Sequence, residues 1–421
     1  MKKLVIQGGK KLYGTINISG SKNASLPILA ASLLIDEVVT LKNIPNVKDI
    51  LTMIVLLENI GKKIEFRAAK NEVKIYPQKI KKLEAPYNLV KTMRAGVLVL
   101  GPLISKYGYA KVSLPGGCAI GSRPVDLHIE ALKKMGAKIK IDNGYILAQV
   151  PKKLKATNFK FPSVSVGATE NLIMASVLCE GKTLIKNIAI EPEILDLINF
   201  LNHSGAKILF SSKRSITIEG VDRLRGISYS IIPDRIEAGT YAIASLITNG
   251  KITLNKINKD IMNNIFDVLK KAGAQLSFKK KNSVTISRKK TKSLNVKTLP
   301  YPGFPTDMQA QLMSLLCLSR GKSVIKEDIF ENRFLHVPEL KRLGANIKIK
   351  NQSAHIVGIE KLKGAEVMAT DLRASVSLVL AGLVAQGTTT INRVYHLERG
   401  YENLVGKLKK CGAKIVLKDA W

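Results

Sequence analysis

The 421-residue sequence is poor in cysteine, in aromatic residues and in long apolar runs. Its four cysteines are Cys118, Cys179, Cys317 and Cys411, and their wide spacing excludes a disulfide framework and a zinc-ligand cluster. Aromatic residues make up 5% of the chain, which leaves little surface for stacking nucleic-acid bases. No apolar run reaches the roughly 20 residues of a membrane-spanning helix, and the N-terminus lacks a secretory-signal pattern. We therefore expect a cytoplasmic protein with no membrane partner.

Acidic residues are also scarce, with 32 against 67 basic residues and a formal net charge of +35. Such a balance admits a nucleic-acid-binding repeat protein. The basic residues are mostly lysines, however, and they are spread along the whole chain. The densest run, residues 279–281 and 288–290, flanks an alternating segment that is typical of a solvated hairpin. We expect no nucleic-acid partner, and nucleic-acid binding remains the least favoured alternative.

What the sequence does contain is one phrase that occurs six times. Each copy ends an apolar, helix-like run at a glycine and continues as an alternating, strand-like segment. The marker glycines are Gly61, Gly136, Gly205, Gly273, Gly344 and Gly412, at intervals of 68 to 75 residues. Glycine suits the end of a helix because it adopts positive φ at little cost. The spacing predicts six copies of one unit, which must stack to bury their apolar faces.

The fifth copy predicts the order of elements within each unit. Thr306 is expected to cap a helix that begins at Asp307, and a short strand, a second helix and a hairpin follow. The first helices of the copies are apolar nearly all round, which is typical of helices buried inside a ring of sheets. The predicted fold class is α/β, a two-domain inside-out α/β barrel built from six βαβαββ-type repeats, three per domain.

The N-terminal strand is predicted to complete the sixth repeat. That repeat reaches the end of the chain before a return strand can form, and residues 4–8 resemble the return strands of other copies. The predicted domains are therefore residues 22–231, with the Cys118 loop, and residues 1–21 plus 232–421. Because ligands favour domain interfaces, we expect the site in the cleft between the two domains.

The second copy departs from the repeat pattern around Cys118. Glycines at positions 116, 117 and 121 surround this residue, and Arg123 and Asp126 follow before the next helix. Two interpretations fit. Cys118 is either a small residue in a turn or a reactive thiol whose pKa is set by Arg123 and the helix N-terminus.

Charged residues stand at the starts of other first helices. Lys22 and Asn23 open one of them, Asp307 opens another, and Arg373 and Arg399 lie at comparable points of the sixth copy. A helix start attracts anions through its free N–H groups and its dipole. Each residue alone is typical of a helix cap or a surface ion pair. Their recurrence at one repeat position predicts a shared polyanionic ligand.

Six segments carry a family resemblance: residues 19–24, 114–128, 164–169, 304–311, 330–340 and 395–401. The sequence resembles the UDP-N-acetylglucosamine enolpyruvyl transferases (UDP-N-acetylglucosamine 1-carboxyvinyltransferases) of bacterial peptidoglycan synthesis, most specifically in the Cys118 loop. The resemblance implies transfer of the enolpyruvyl group of phosphoenolpyruvate to the 3′-hydroxyl of UDP-N-acetylglucosamine, with release of phosphate, through a tetrahedral intermediate. The alternative is the related 5-enolpyruvylshikimate-3-phosphate synthase, which shares the fold and the phosphoenolpyruvate chemistry.

The resemblance also implies roles for individual residues. Cys118 would protonate the phosphoenolpyruvate methylene and could form a covalent adduct with it. Lys22 and Asn23 would hold phosphoenolpyruvate, and Arg123 and Arg399 would neutralise its phosphate and carboxylate. Asp307 would orient the sugar hydroxyl and take its proton.

A further set of residues would line the uridine nucleotide. These are Arg94, Arg123, Pro124, Val125, Asp126, Leu127, Ser163, Val164, Ser165, Val166, Asp307 and Ile329. Ser163 stands where some members of the family carry lysine. The resemblance implies no metal and no organic cofactor.

Overall fold

A computed structural model describes residues 2–116 and 125–419. The strands in these ranges are β1 (Lys2–Gln7), β2 (Tyr13–Asn17), β3 (Val39–Lys42), β4 (Lys63–Arg67), β5 (Glu72–Tyr76), β6 (Glu84–Ala85), β7 (Tyr109–Ser113), β8 (Lys138–Asp142), β9 (Tyr145–Gln149), β10 (Asn158–Lys160), β11 (Lys182–Lys186), β12 (Lys207–Ser212), β13 (Ser215–Glu219), β14 (Ser228–Ser230), β15 (Lys251–Asn255), β16 (Ala274–Lys280), β17 (Ser283–Arg288), β18 (Asn295–Lys297), β19 (Lys322–Lys326), β20 (Asn346–Lys350), β21 (Ser353–Val357), β22 (Glu366–Met368), β23 (Thr388–Asn392) and β24 (Lys414–Asp419). The helices are α1 (Lys22–Ala31), α2 (Lys48–Ile60), α3 (Tyr87–Val90), α4 (Leu100–Tyr107), α5 (Asp126–Lys134), α6 (Val166–Ser176), α7 (Pro192–His203), α8 (Arg235–Ile247), α9 (Asn263–Lys271), α10 (Gln309–Leu316), α11 (Val337–Arg342), α12 (Leu372–Gly382) and α13 (Leu404–Lys410). Short 3₁₀ segments span Ser32–Leu34, Ala68–Lys70, Arg94–Val99, Asp260–Met262, Thr306–Met308 and Val394–Arg399.

The described strands form six four-stranded sheets with one common pattern. In the fifth sheet, β18 pairs parallel with β19, and β21 pairs antiparallel with both β19 and β20. Ser323 and Ile325 of β19 are buried, whereas Lys322 and Lys326 are exposed. This alternation is the period-2 pattern of a sheet with one face on the core. The α/β fold class and the six-repeat architecture are confirmed.

The described residues fall into two compact units. We call residues 20–116 and 125–232 the central unit, and residues 2–19 and 233–419 the terminal unit. The sheets of the central unit have the strand orders β14-β3-β5-β4, β6-β7-β9-β8 and β10-β11-β13-β12. Those of the terminal unit are β16-β17-β15-β2, β18-β19-β21-β20 and β22-β23-β1-β24. The strand β1 pairs antiparallel with both β23 and β24, so it supplies the return strand of the sixth repeat.

Each unit surrounds three buried helices with its sheets. They are α1, α4 and α6 in the central unit and α8, α10 and α12 in the terminal unit, and every residue of α8 and α10 is buried. Small residues allow these helices to approach closely. A Cβ atom at Gly101 of α4 would lie 2.5 Å from the backbone oxygen of Asn171 in α6. The prediction that the first helix of each repeat is internal is confirmed.

The outer helices end at the marker glycines, as predicted. Gly136, Gly205, Gly273, Gly344 and Gly412 have φ values of +91° to +104°, and Gly61 has a φ of +130°. Cys179, Cys317 and Cys411 are buried core residues. Within residues 2–116 and 125–419, no helix has both the length and the apolar character needed to cross a bilayer.

Candidate active site

The start of α1 in the central unit holds a buried cation. Ser21 caps the helix by accepting a hydrogen bond from the Ala24 backbone N–H at 3.3 Å. Lys22 is buried, and its Nζ donates to Asp49 Oδ2 at 3.0 Å. Asn23 follows in the first turn and is half-buried. The Lys22 ammonium is therefore fixed by a carboxylate that the sequence analysis missed, since Asp49 reads there as an ordinary acidic residue at the start of an outer helix.

The start of α6 carries the second predicted segment of the central unit. Ser165 caps this helix by accepting from the Ala168 N–H at 3.4 Å. Ser163 and Val166 are exposed, and Val164 and Ser165 are half-buried. Neither α1 nor α6 has an acidic residue in its first turn. The positive ends of both helices are thus capped by a neutral hydroxyl, which suits them to bind an anion.

Arg94 and the start of α5 complete the predicted residues of the central unit. Arg94 is half-buried and opens the 3₁₀ segment Arg94–Val99, which contacts both α1 and α6. Val125 is buried, while Asp126 is exposed and Leu127 is half-buried on α5, a helix that packs against α6. The predicted residues of this unit therefore lie on or beside elements that are linked in series, since α1 and α6 both contact the 3₁₀ segment and α5 contacts α6.

In the terminal unit, Asp307 lies between two buried arginines. Its Oδ1 accepts from Arg333 Nη2 at 2.8 Å, and its Oδ2 accepts from Arg373 Nε at 3.2 Å. Both arginine side chains are 4% exposed, compared with 27% for Asp307. Burial opposes the charge of Arg373, but Tyr401, Asp307 and Asp234 together hold its pKa above the usual range. The two guanidinium groups stabilise the ionised form of the Asp307 carboxylate.

Glu327 connects Thr306, the residue before Asp307, to the predicted nucleotide residue Ile329. This carboxylate is 1% exposed, and it accepts from Thr306 Oγ1 and from the Ile329 backbone N–H, both at 2.9 Å. The prediction that Thr306 caps a helix beginning at Asp307 is wrong. The chain enters through the 3₁₀ turn Thr306–Met308, α10 begins at Gln309, and the Thr306 hydroxyl is engaged by Glu327 instead.

Arg399 lies in the same unit, at the end of the 3₁₀ segment Val394–Arg399 that contacts α12. It is half-buried. The start of α12 is capped by Asp371, whose Oδ1 accepts from the Arg373 and Ala374 N–H groups. Asp234 caps α8 in the same way. Asp371 is thus a helix cap.

The remaining predicted residues, Cys118, Arg123 and Pro124, lie outside the described ranges. Three residues that hold the others in place were missed or underrated: Asp49, Glu327 and Arg333. Each meets its partner across more than 20 residues of sequence, so no local pattern could have identified it. Over the two described ranges, no group of histidine, cysteine, aspartate and glutamate forms a candidate metal site.

Comparison with known proteins places the chain in a family. A solved structure of the enolpyruvyl transferase NikO from Streptomyces tendae has the same fold, with a TM-score of 0.91 at 23% identity over 100% of this chain and 99% of that one. EPSP synthase from Acinetobacter baumannii superposes with a TM-score of 0.79 at 18% identity, and each chain is fully covered. The sequence model described as EPSP synthase (3-phosphoshikimate 1-carboxyvinyltransferase) matches residues 6–408. The chain belongs to this family of enolpyruvyl, or 1-carboxyvinyl, transferases.

The names of the sequence relatives specify one activity, whereas the shared fold specifies only the family. The chain is 57% identical over 415 residues to the UDP-N-acetylglucosamine 1-carboxyvinyltransferase of Pelagibacter ubique, with 99% of both sequences covered. Enzymes of the same name from Pseudoalteromonas atlantica and Acinetobacter baylyi are 50% and 49% identical over the same share of both sequences.

Proposed function

We propose that the chain transfers the enolpyruvyl group of phosphoenolpyruvate to the 3′-hydroxyl of UDP-N-acetylglucosamine and releases phosphate. The observation that carries this proposal is the 57% identity to a relative of that activity over 99% of both sequences. The product would enter peptidoglycan synthesis, and hence serve cell-wall growth and division, as its first committed intermediate. Both substrates are metabolites of the cytoplasm, where we place the reaction.

The proposed reaction proceeds by addition and elimination. The sugar hydroxyl oxygen bonds to C2 of phosphoenolpyruvate while C3 gains a proton, which gives a tetrahedral phosphate ketal. C3 then loses a proton and the C2–O bond to phosphate breaks, which restores the enol ether. Atoms balance without a redox step. Cys118 is the proposed acid at C3, a role that typically supplies about 10²–10⁴ in rate.

The central unit is the proposed holder of the anionic groups. Its neutral-capped helix starts, together with Lys22 and Arg94, offer positive potential to phosphates and a carboxylate. Lys22 and Asn23 bind phosphoenolpyruvate, with Arg123 and Arg399 as further cationic partners. The nucleotide contacts Arg94, residues 123–127 and residues 163–166, with Asp307 and Ile329 completing the set. Ser163 supplies a hydroxyl there rather than a charge.

Asp307 is proposed to orient the sugar 3′-hydroxyl. Protonation of this carboxylate would sacrifice its ion pairs with both Arg333 and Arg373. A carboxylate stabilised in this way accepts a hydrogen bond well but keeps a proton poorly. The geometry thus supports orientation of the hydroxyl more strongly than net proton uptake by Asp307.

Phosphate release with each acceptor tests the proposal. The purified chain is incubated with phosphoenolpyruvate and either UDP-N-acetylglucosamine or shikimate 3-phosphate, and phosphate is measured over time. Release that depends on the sugar nucleotide is expected. Release that depends on shikimate 3-phosphate alone would favour the 5-enolpyruvylshikimate-3-phosphate synthase reaction, and a steeply salt-dependent gel shift with DNA or RNA in the absence of turnover would favour nucleic-acid binding.

A further inference from the structure

Asn171 in α6 joins three elements of the central unit through one buried amide. The residue is 1% exposed. Its Oδ1 accepts from the Gly101 backbone N–H at 2.7 Å, and its Nδ2 donates to the Val97 carbonyl at 3.0 Å. The same Nδ2 lies 2.8 Å from Nδ1 of His128 in α5. The donors and acceptors on this side chain are therefore engaged by partners from different parts of the chain.

The two backbone partners fix which way the Asn171 amide points. A backbone N–H can only donate and a carbonyl can only accept, so Oδ1 must face Gly101 and Nδ2 must face Val97. The second hydrogen of Nδ2 then points at His128 Nδ1, which has to accept it. A neutral imidazole that accepts at Nδ1 carries its proton on Nε2. The structure thus determines the tautomer of His128.

Protonation of His128 is disfavoured by the same contact. A proton on Nδ1 would meet the Asn171 NH₂ group, where two donors would oppose each other. Burial of the imidazole and the nearby Arg94 also lower the pKa of His128, to about 4. Among the charged groups of residues 2–116 and 125–419, Arg94 of the 3₁₀ segment is the one whose charge lowers the pKa of His128. His128 is therefore a neutral Nε2–H imidazole at physiological pH.

The pair lies where the candidate nucleotide segments of the central unit meet. His128 is the residue after Leu127 on α5. A Cβ atom at Gly167 would lie 3.3 Å from His128 Cε1, so the ring packs against the first turn of α6, directly after Ser165 and Val166. Val97, bonded to Asn171, belongs to the 3₁₀ segment that Arg94 opens.

We propose that Asn171 is a positioning residue for the nucleotide. It holds His128 as the Nε2–H tautomer, and it fixes the Arg94 segment against the starts of α5 and α6. The inference rests on the proposed function, because these segments are the proposed nucleotide contacts. Loss of the amide is expected to weaken nucleotide binding while phosphoenolpyruvate binding and the chemical step change little.

Asn171→Asp tests this with almost no change in shape. The carboxylate can still accept from Gly101, but it repels the Val97 carbonyl and invites a proton onto His128 Nδ1. Asn202→Asp is the matched control. Asn202 of α7 likewise bridges a backbone N–H and a carbonyl, both of Ile208 at 2.9 Å, in the same unit but with no histidine bonded to its amide.

The first readout is ¹⁵N NMR of the imidazole rings of the full chain. Wild type and Asn202→Asp should show His128 as the Nε2–H tautomer, with no titration near pH 6.5. Asn171→Asp should move the proton to Nδ1 and raise the pKa of His128. An Nδ1–H tautomer in wild type, or an unchanged tautomer in Asn171→Asp, overturns the proposal. This readout needs no turnover, so it decides the tautomer even if phosphate release with UDP-N-acetylglucosamine fails and the proposed function falls.

The second readout is steady-state kinetics between pH 5.5 and 8. In Asn171→Asp, KM for UDP-N-acetylglucosamine should rise by about tenfold or more and become pH-dependent, while kcat and KM for phosphoenolpyruvate stay within about threefold. A KM no higher than that of Asn202→Asp overturns the proposal. Should Asn171→Asp fail to fold, His128→Gln and His128→Leu decide. The glutamine side chain can accept a hydrogen bond from Asn171 and still donate an N–H. KM of His128→Gln for UDP-N-acetylglucosamine should therefore be at least about fivefold lower than KM of His128→Leu. Equal values overturn the proposal.

Discussion

Replacement of Asp307 by asparagine tests the centre of the terminal unit. The change keeps the size of the side chain, removes one negative charge and turns an NH₂ group toward at least one guanidinium. Arg333 at 2.8 Å and Arg373 at 3.2 Å would then form a pair of like charges, both 4% exposed, without the carboxylate between them. We expect a loss of stability and, through the hydroxyl that Asp307 is proposed to orient, a loss of activity.

The size of both losses can be worked out. Two unit charges about 3 Å apart interact by roughly 5 kcal/mol at an effective dielectric constant of about 20. Part of this is offset by desolvation, and removal of one partner from a buried ion pair typically costs about 3–5 kcal/mol. The free energy of unfolding of the terminal unit should fall by that amount. An unoriented hydroxyl should lower kcat by about 100-fold or more.

The assay separates the two effects. Urea unfolding gives the stability, and kcat is measured at a temperature where the variant is folded, beside calorimetric binding of UDP-N-acetylglucosamine. Asp328→Asn is the matched control, since Asp328 also pairs with two cations, Lys297 at 2.7 Å and Lys326 at 3.5 Å, but these lysines are about half exposed. The control should change little. The reasoning is refuted if Asp307→Asn is no less stable than Asp328→Asn and keeps kcat within about threefold of wild type.

Three further predictions follow from the same structure. Because burial and Arg94 lower the pKa of His128 to about 4, the unfolded chain binds the extra proton below about pH 6.5. The stability that this neutral ring contributes is therefore complete above pH 6.5 and is lost as the pH falls toward 4. Urea unfolding of the central unit at pH 5 should show a loss of about 2 kcal/mol that His128→Gln lacks, and identical pH profiles would contradict this. Asp49→Asn should remove the carboxylate that pairs with the Lys22 ammonium at 3.0 Å and raise KM for phosphoenolpyruvate by about tenfold. An unchanged KM would contradict the role given to this ion pair. Cys118→Ser should reduce kcat by about 10²-fold or more while circular dichroism shows an intact fold. The epoxide antibiotic fosfomycin should alkylate Cys118 in the wild-type protein. A label that mass spectrometry places on another residue would contradict the proposed role of the thiol.

Much of the fold could be predicted from the sequence because its determinants are local and repeated six times. A glycine with positive φ ends each outer helix, and first helices without a polar face have to be internal. The helix start that was predicted at Asp307 shows where inference from local sequence fails. Thr306 satisfies the usual cap pattern, but Glu327, 21 residues further on, accepts its hydroxyl, and the chain turns through a 3₁₀ segment instead.

Within the candidate site, the sequence pattern singled out the residues to which we propose a chemical role, but not the residues that pair with them. Lys22 and Asp307 stand out because a charge at the start of an apolar helix breaks the repeat pattern. Asp49 and Arg333 sit in ordinary-looking segments, and their importance comes from ion pairs made across 27 and 26 residues of sequence. Such contacts depend on how the repeats fold together, so the partners of a candidate catalytic residue are harder to predict from the sequence than the candidate itself.

The two units differ in the charge that they place at the same repeat position, which is negative in the terminal unit and neutral at the described caps of the central unit. In the terminal unit the inner helices begin with carboxylates, Asp234 and Asp371 as caps and Asp307 in the 3₁₀ turn before α10. In the central unit Ser21 and Ser165 are the caps, and the described first turns of its inner helices and of the 3₁₀ segment before α4 contain no acidic residue. A helix N-terminus is stabilised by negative charge whether the protein or a ligand supplies it. The terminal unit meets that demand with its own side chains, whereas the described helix starts of the central unit leave it to a ligand, for which we propose the phosphates and the carboxylate of the two substrates.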